Sequence, residues 1–332
     1  MKNSNINQGF KLFIELKHNF SNDSDYVIVE PVPCSQNHKI GISDEGYPMF
    51  FIKCSDIDKS IDINLELISV LFSRNCSVKE KQQLSNEIFT LIVLKTKDVD
   101  LQKYFIDVIT LILSQINSFP SEKELNKELK KVIDLFSSLT LPPIKSIQGL
   151  WAELLIIDKS KDPEVLINAW HVSPKDKYDF NDGFDKLEVK STSTQKRVHS
   201  FSSDQLYSNF NSQLIIASIF VIQSGIGLSV LDLRDRVLTK VKDFATHIRF
   251  NEIILKTVGC QYTSLSEMMF DYQLASDSIS YFDSVNIPKI GKESIPSEVT
   301  NLHYDCDLSN VAAIHLENIK GSSGLLLNNI GI

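Results

Sequence analysis

Between residues 178 and 190 the chain reads Tyr178-Asp179-Phe180-Asn181-Asp182-Gly183-Phe184-Asp185-Lys186-Leu187-Glu188-Val189-Lys190: a carboxylate, a Gly-containing turn, then Glu-x-Lys. Tyr178 and Phe180 alternate with Asp179, and Leu187 and Val189 alternate with Glu188 and Lys190. That is the period of two short strands, and Asn-Asp-Gly can reverse the chain between them. A register opposing Phe180 with Leu187 also opposes Tyr178 with Val189 and Asp179 with Glu188, so two carboxylates and an ammonium converge on one face. Facing like charges destabilise a sheet unless a cation neutralises them. A hard divalent ion does this through oxygen ligands while keeping waters for chemistry. Lys190 then stands where it can hold an attacking water and stabilise charge developing on a scissile phosphate.

The elements that must position these residues can be read around them. Pro142-Pro143 opens a unit in which Ile144 to Lys159 predicts a helix apolar over most of its circumference. Its carboxylate Glu153 sits among Leu150, Trp151, Leu154 and Leu155, where an isolated charge is costly unless it meets a metal or a nearby lysine. Trp151 and Trp170 read as core. After the hairpin a polar segment ends at Arg197-Val198-His199, Ser202-x-x-Gln205 has the spacing of a helix cap, and Leu214 to Ile222 reads as a strand buried on both faces. Leu228 to Leu233 reads as a further strand. Helix, hairpin, helix and central strand predict an α/β layer of helices over a mixed sheet.

Upstream, Phe10 to Leu16, Tyr26 to Val32 and Met49 to Lys53 are β-like runs punctuated by prolines and glycines. From about Asp62 to Leu139 the pattern predicts helices, with capping spacings at Ser77-x-x-Glu80 and Ser121-x-x-Glu124 and apolar Leu125, Leu129, Val132 and Leu135. The expected organisation is a β-rich N-terminal module over 1–60, a helical region over 61–141, a core over 142–240 and an α/β region over 241–332.

A chain of 332 residues with 42% hydrophobic content can bury a real core. No apolar stretch is long enough to span a bilayer and the N-terminus is polar, which predicts a cytoplasmic protein without membrane association. Cys34, Cys54, Cys76, Cys260 and Cys306 are widely spaced without a C-x-x-C, the usage of inert thiols. A net charge of −8 gives no whole-surface attraction to polyanions, so phosphate binding must be local. Lys186, Lys190, Lys196 and Arg197 against Glu188 supply one such basic stretch.

At these residues the chain resembles the PD-(D/E)XK nuclease superfamily, in particular a branch encoded beside restriction and phage-defence genes. The resemblance rests on Gly149-Leu150-Trp151-Ala152-Glu153-Leu154, Trp170, Asp179-Phe180, Glu188-Val189-Lys190-Ser191-Thr192 and Asp204-Gln205-Leu206, five pieces in order. Tyr178 stands where the superfamily often has proline, and Asp176 and Asp182 are the fallback acids. The resemblance implies a restriction-endonuclease-like core, with Asp179 and Glu188 binding Mg2+ or Mn2+, Lys190 assisting the water and Glu153 completing or flanking the site. Val189 is then a carbonyl ligand, and Gln205, His199, Lys196 and Arg197 are substrate contacts. The function implied is metal-dependent hydrolysis of DNA, with other defence proteins and a second copy of the chain as candidate partners. A DNA-binding or scaffold subunit of the same fold is the competing reading, and a ribonuclease is a third.

Overall fold

The computed structural model describes residues 2–18, 20, 25–56, 60–171, 176–207, 212–315 and 324–331. Contacts divide the chain into two compact units, Met1–Leu141 and Pro142–Ile332. In the first unit, helix α1 (Lys2–His18) is followed by strands β1 (Val27–Val32), β2 (Ser35–Ile42), β3 (Pro48–Ile52), β4 (Ile63–Asn64), β5 (Ile68–Glu80) and β6 (Gln83–Leu94). Helices α2 (Val99–Gln115) and α3 (Glu122–Ser138) complete it. The strand order is β1-β2-β3-β6-β5-β4, and a parallel β1–β5 pairing joins the sheet back onto itself, which satisfies edges otherwise open to other chains. Ser121 caps α3 by accepting from the Glu124 amide, and Leu125, Leu129, Val132 and Leu135 are buried, as their spacing predicts.

Two expectations fail here. Phe10 to Leu16 lies within α1, not in a strand; from residue 8 to the end of the helix the buried positions are Gly9, Phe13 and Leu16, a helical spacing that the run's partial alternation obscured. The helical region expected from residue 61 begins instead with β4, β5 and β6, so Ser77-x-x-Glu80 lies in a strand. Pairing from Ile68↔Leu94 to Glu80↔Gln83 holds those residues extended, and Lys81 takes φ +54° in the turn between. The sheet begun by β1 to β3 therefore continues past residue 60.

The second unit contains α4 (Ile147–Asp158), α5 (Pro163–Ala169), β7 (Phe180–Asn181), β8 (Lys186–Thr192), β9 (Val198–Ser202), β10 (Leu214–Phe220) and β11 (Gln223–Leu228). After these come α6 (Val230–Leu238), α7 (Phe244–Val258), α8 (Tyr272–Ser278), β12 (Ser280–Asp283), β13 (His303–Asp307) and α9 (Leu326–Asn329). A mixed sheet runs β12-β10-β8-β7, with β8 and β10 parallel and both outer strands antiparallel; β9 pairs with β13. Leu187, Val189, Ile215, Ala217 and Ile219 pack with Leu150, Trp151 and Leu154 of α4. The alternate positions Leu214 and Ile216 pack with Tyr178, Phe201, Leu206 and Phe282, so β10 is buried on both faces as its composition predicts.

Three local expectations are corrected in this unit. Leu228 to Leu233 is not a strand: Ser229 and Asp232 form a reciprocal capping box that starts α6 at Val230. Ser202-x-x-Gln205 does not open a helix among the described residues; 203–206 form a turn and 208–211 lie outside them. No break falls at residue 240, because β12 pairs with β10 and β13 with β9. The chain is thus a mixed α/β protein, and among its described residues no helix is long and apolar enough to cross a membrane.

Candidate active site

The helix α4 starts where the Ser146 hydroxyl accepts from the Gly149 amide, and it ends at Asp158, which accepts from Arg236, Lys240 and Tyr272. Fixed at both ends, the helix holds Glu153 with its side chain 2% exposed. One carboxylate oxygen, Oε2, accepts from Trp170 Nε1 at 2.7 Å, and the other, Oε1, accepts from Lys145 Nζ at 2.5 Å. Trp170 is itself set by stacking on Phe180 and by a bridge that pairs these two residues.

The hairpin has the predicted register at Phe180↔Leu187, and Gly183, at φ +92°, turns the chain. Asp182 closes that turn by accepting from the Phe184, Asp185 and Leu326 amides at 2.9, 2.7 and 2.9 Å. Gly324 lies so close that a Cβ there would fall 2.5 Å from Asp182 Oδ2. Strand pairing with β7 reaches only from Asn181 to Phe180, and the Asp179 carbonyl instead accepts from the His171 amide. The Asp179 side chain takes over on the β8 side: Oδ2 accepts from the Val189 amide at 2.8 Å, and Oδ1 accepts from Lys145. A short strand thus becomes a side-chain clasp, and the aspartate is aimed at Glu153.

On the face of β8 shared with Ile216 and Ser218, Glu188 Oε1 accepts from Gln205 Nε2 at 2.6 Å and pairs with Lys190 Nζ at 3.0 Å. Lys190 also donates to Gln205 Oε1 at 3.3 Å and lies 5.1 Å from the Phe201 ring centroid. Burial first, and then the charge of Asp179, push the carboxyls of both Glu153 and Glu188 above the usual range, against the pull of Lys145 and Lys190. Burial works to lower the Lys145 pKa, but the Glu153 and Asp179 charges outweigh it and raise it. These groups form one electrostatic unit in which every ionisation is felt by the others.

Glu153, His171 and Asp179 offer ligand atoms that all lie within 4.8 Å of one another. Among the described residues, buried His171 Nδ1 has no hydrogen-bond partner and lies 3.7 Å from Glu153 Oε2. Burial, followed by the charge of Lys145, lowers the His171 pKa and so favours the neutral imidazole, the form that ligates metal. An orphaned ring nitrogen facing two carboxylates fits a divalent cation; one nitrogen among oxygens suits Mn2+ at least as well as Mg2+.

Of the residues singled out in the sequence, Glu153, Asp179, Glu188, Lys190 and Gln205 come together, with Asp179 tied to the Val189 amide. Asp182 is spent on the turn, and Asp176 is exposed. His199 is not a phosphate contact on the surface. It is 4% exposed, its Nε2 lies 2.7 Å from Ser218 Oγ, and burial, then Lys190 and Arg197, lower its pKa to about 4. Nor is Arg197 available to DNA: its guanidinium donates to Ser218 O and Oγ and to Ser278 O, and stacks on Phe220. Lys186 is buried and donates to Ser212, which leaves Lys196 as the exposed cation of that stretch. Lys145 and His171 were not foreseen. Lys145 precedes the helix cap and so has no periodic relation to Glu153, whereas His171 directly follows the Trp170 of the motif series and was within reach.

A family model described as "Putative PD-(D/E)XK family member, (DUF4420)" matches residues 12–309. No match was found among curated proteins or among solved structures.

Proposed function

The chain belongs to this PD-(D/E)XK family, and from that premise we propose that it is a metal-dependent nuclease hydrolysing DNA phosphodiester bonds in restriction or phage defence. The observation that supports this best is the convergence of Glu153, Asp179, Glu188 and Lys190 beside the unpartnered Nδ1 of His171. Glu153, His171 and Asp179 are the residues that would hold the ion. When bound, Mg2+ or Mn2+ supplies Lewis-acid stabilisation of phosphate charge and a more acidic water.

The chain's own residues supply the rest. Lys190 has three donors; two are directed at Glu188 and Gln205, and the third can meet a non-bridging phosphate oxygen. Glu188, its carboxyl raised by burial and by Asp179, is suited to take a proton from the attacking water. Gln205 bridges the Glu188 and Lys190 side chains, donating to one and accepting from the other, a positioning role. Because Lys186 and Arg197 are committed to the fold and the net charge is −8, tight DNA engagement falls to partner proteins of the same defence system.

The test is incubation of the purified protein with supercoiled plasmid, linear duplex, single-stranded DNA and RNA, each with Mn2+, Mg2+ or EDTA. Cleavage of DNA with either ion, abolished by EDTA and by Asp179→Asn or Lys190→Met in folded protein, is expected. Cleavage undiminished in both variants would sink the catalytic assignment. Uncut nucleic acid in every wild-type reaction would favour a scaffold or DNA-binding subunit.

A further inference from the structure

The ammonium of Lys145 occupies the position between Glu153 Oε1 and Asp179 Oδ1. These are two of the three side chains whose donor atoms cluster for a cation. A divalent ion and this ammonium are alternatives for the same carboxylate oxygens, since each oxygen pair facing inward cannot be shared by two positive charges at contact. We propose that Lys145 is a built-in counter-ion of the metal site, which must be displaced for the ion to bind and which therefore sets the affinity of the site.

Three features support displacement over a fixed structural salt bridge. First, the backbone around Lys145 is anchored without the side chain: Ile144 N donates to Thr257 O at 2.8 Å, and Ser146 caps α4. Movement of the ammonium thus requires only rotation of its own stem. Second, the Lys145 side chain is 28% exposed whereas Glu153 is 2% exposed, so the cation has a route to water that its partners lack. Third, Glu153 and Asp179 each keep one oxygen on a neutral donor, Trp170 Nε1 and the Val189 amide. The carboxylates therefore stay oriented after Lys145 leaves.

Without any cation the acidic groups repel one another inside a buried site. Lys145 relieves that repulsion in the metal-free protein and in doing so competes with metal. Removing its charge should therefore destabilise the metal-free protein and tighten metal binding, two effects of opposite sign. A purely structural salt bridge would lower both.

The inference rests on the metal-site reading above, and the experiment separates the two. Mn2+ alone is titrated calorimetrically into wild type, Lys145→Met and Lys145→Arg, and metal-free melting temperatures are recorded for each. Lys145→Met keeps the apolar stem; it is expected to melt lower without metal and to bind Mn2+ more tightly by about a hundredfold or more, the factor for two charged hydrogen bonds no longer broken on binding. Lys145→Arg keeps the charge and offers a fixed fork to both carboxylates, so its Mn2+ affinity should equal or fall below wild type. Equal or weaker Mn2+ binding by folded Lys145→Met overturns the counter-ion proposal while leaving the metal site intact. If Lys145→Met does not fold, tighter binding by Lys145→Arg than by wild type overturns it instead. Absence of Mn2+ binding in all three proteins overturns the metal-site reading itself, and the proposal with it.

Discussion

Trp170→Phe tests the electrostatic description of the site in a single atom pair. The substitution keeps an aromatic ring against Phe180 but deletes the N–H that donates to Glu153 Oε2 at 2.7 Å. Two costs add. Truncating a fully buried indole to a phenyl leaves a small void, about 1 to 2 kcal/mol. Removing a donor from a buried ionised acceptor costs about 1.5 to 3 kcal/mol more. Only the second depends on Glu153 being charged. Its pKa is raised by burial and by Asp179, so folding works against its ionisation, and stability falls as pH rises from the ordinary carboxylate range through that raised value. The indole hydrogen bond works against this loss; deleting it should make the pH-dependent fall steeper. Denaturant unfolding in EDTA at pH 5.5 and 8.5 reads the effect: the Trp170→Phe penalty should be larger at pH 8.5. In a Glu153→Gln background the penalty at pH 8.5 should shrink by about 1 to 2 kcal/mol, the gap between a charged and a neutral acceptor. A penalty that is the same at both pH values and in both backgrounds would mean that Trp170 acts by packing alone.

His199, neutral and buried, has a pKa lowered from 6.5 to about 4, so it favours folding above pH 6.5 and that contribution drains away as pH falls toward 4, on the order of 3 kcal/mol in all. Its ring protons followed by NMR should titrate near pH 4, and a midpoint near 6.5 would contradict the buried contact with Ser218. Arg197→Ala, which empties three hydrogen bonds and a ring contact, should destabilise by about 2 to 4 kcal/mol, whereas exposed Lys196→Ala should stay within about 0.5 kcal/mol. Lys196→Ala should lower the salt slope of DNA binding by about one ion, measured by fluorescence anisotropy; an unchanged slope would place the phosphate contacts elsewhere.

The hairpin register, the capped buried helix with its lone carboxylate and the doubly buried strand were legible because each rests on local periodicity. Phe180 opposes Leu187, Ser121 caps α3 and β10 is buried through Ile219, as the residues themselves indicate. What failed was context. Ser77-x-x-Glu80 has a capping spacing, but partner strands on either side override it. Arg197 and His199 have the chemistry of phosphate contacts; their burial against Ser218 follows from β9 folding toward β10, which no spacing encodes. Lys145 illustrates the same limit inside the site. Its partner Asp179 is 34 residues away, and only the fold brings the ammonium between the two acids.

The turn of the β7–β8 hairpin is closed in part by the Leu326 amide, 144 positions beyond Asp182, with Gly324 pressed against the Asp182 and Asp185 carboxylates. During synthesis, then, β7 and β8 emerge long before the residues that lock their turn. At ordinary translation speeds the interval is on the order of ten seconds. Throughout it the nascent chain carries the acidic and basic side chains of the site on a hairpin whose turn has its local bonds from the Phe184 and Asp185 amides but not the one from Leu326. For a protein whose proposed reaction severs DNA, this long-range bond links full closure of the turn to synthesis of the segment around Leu326, and a chain stopped before it would lack that contact.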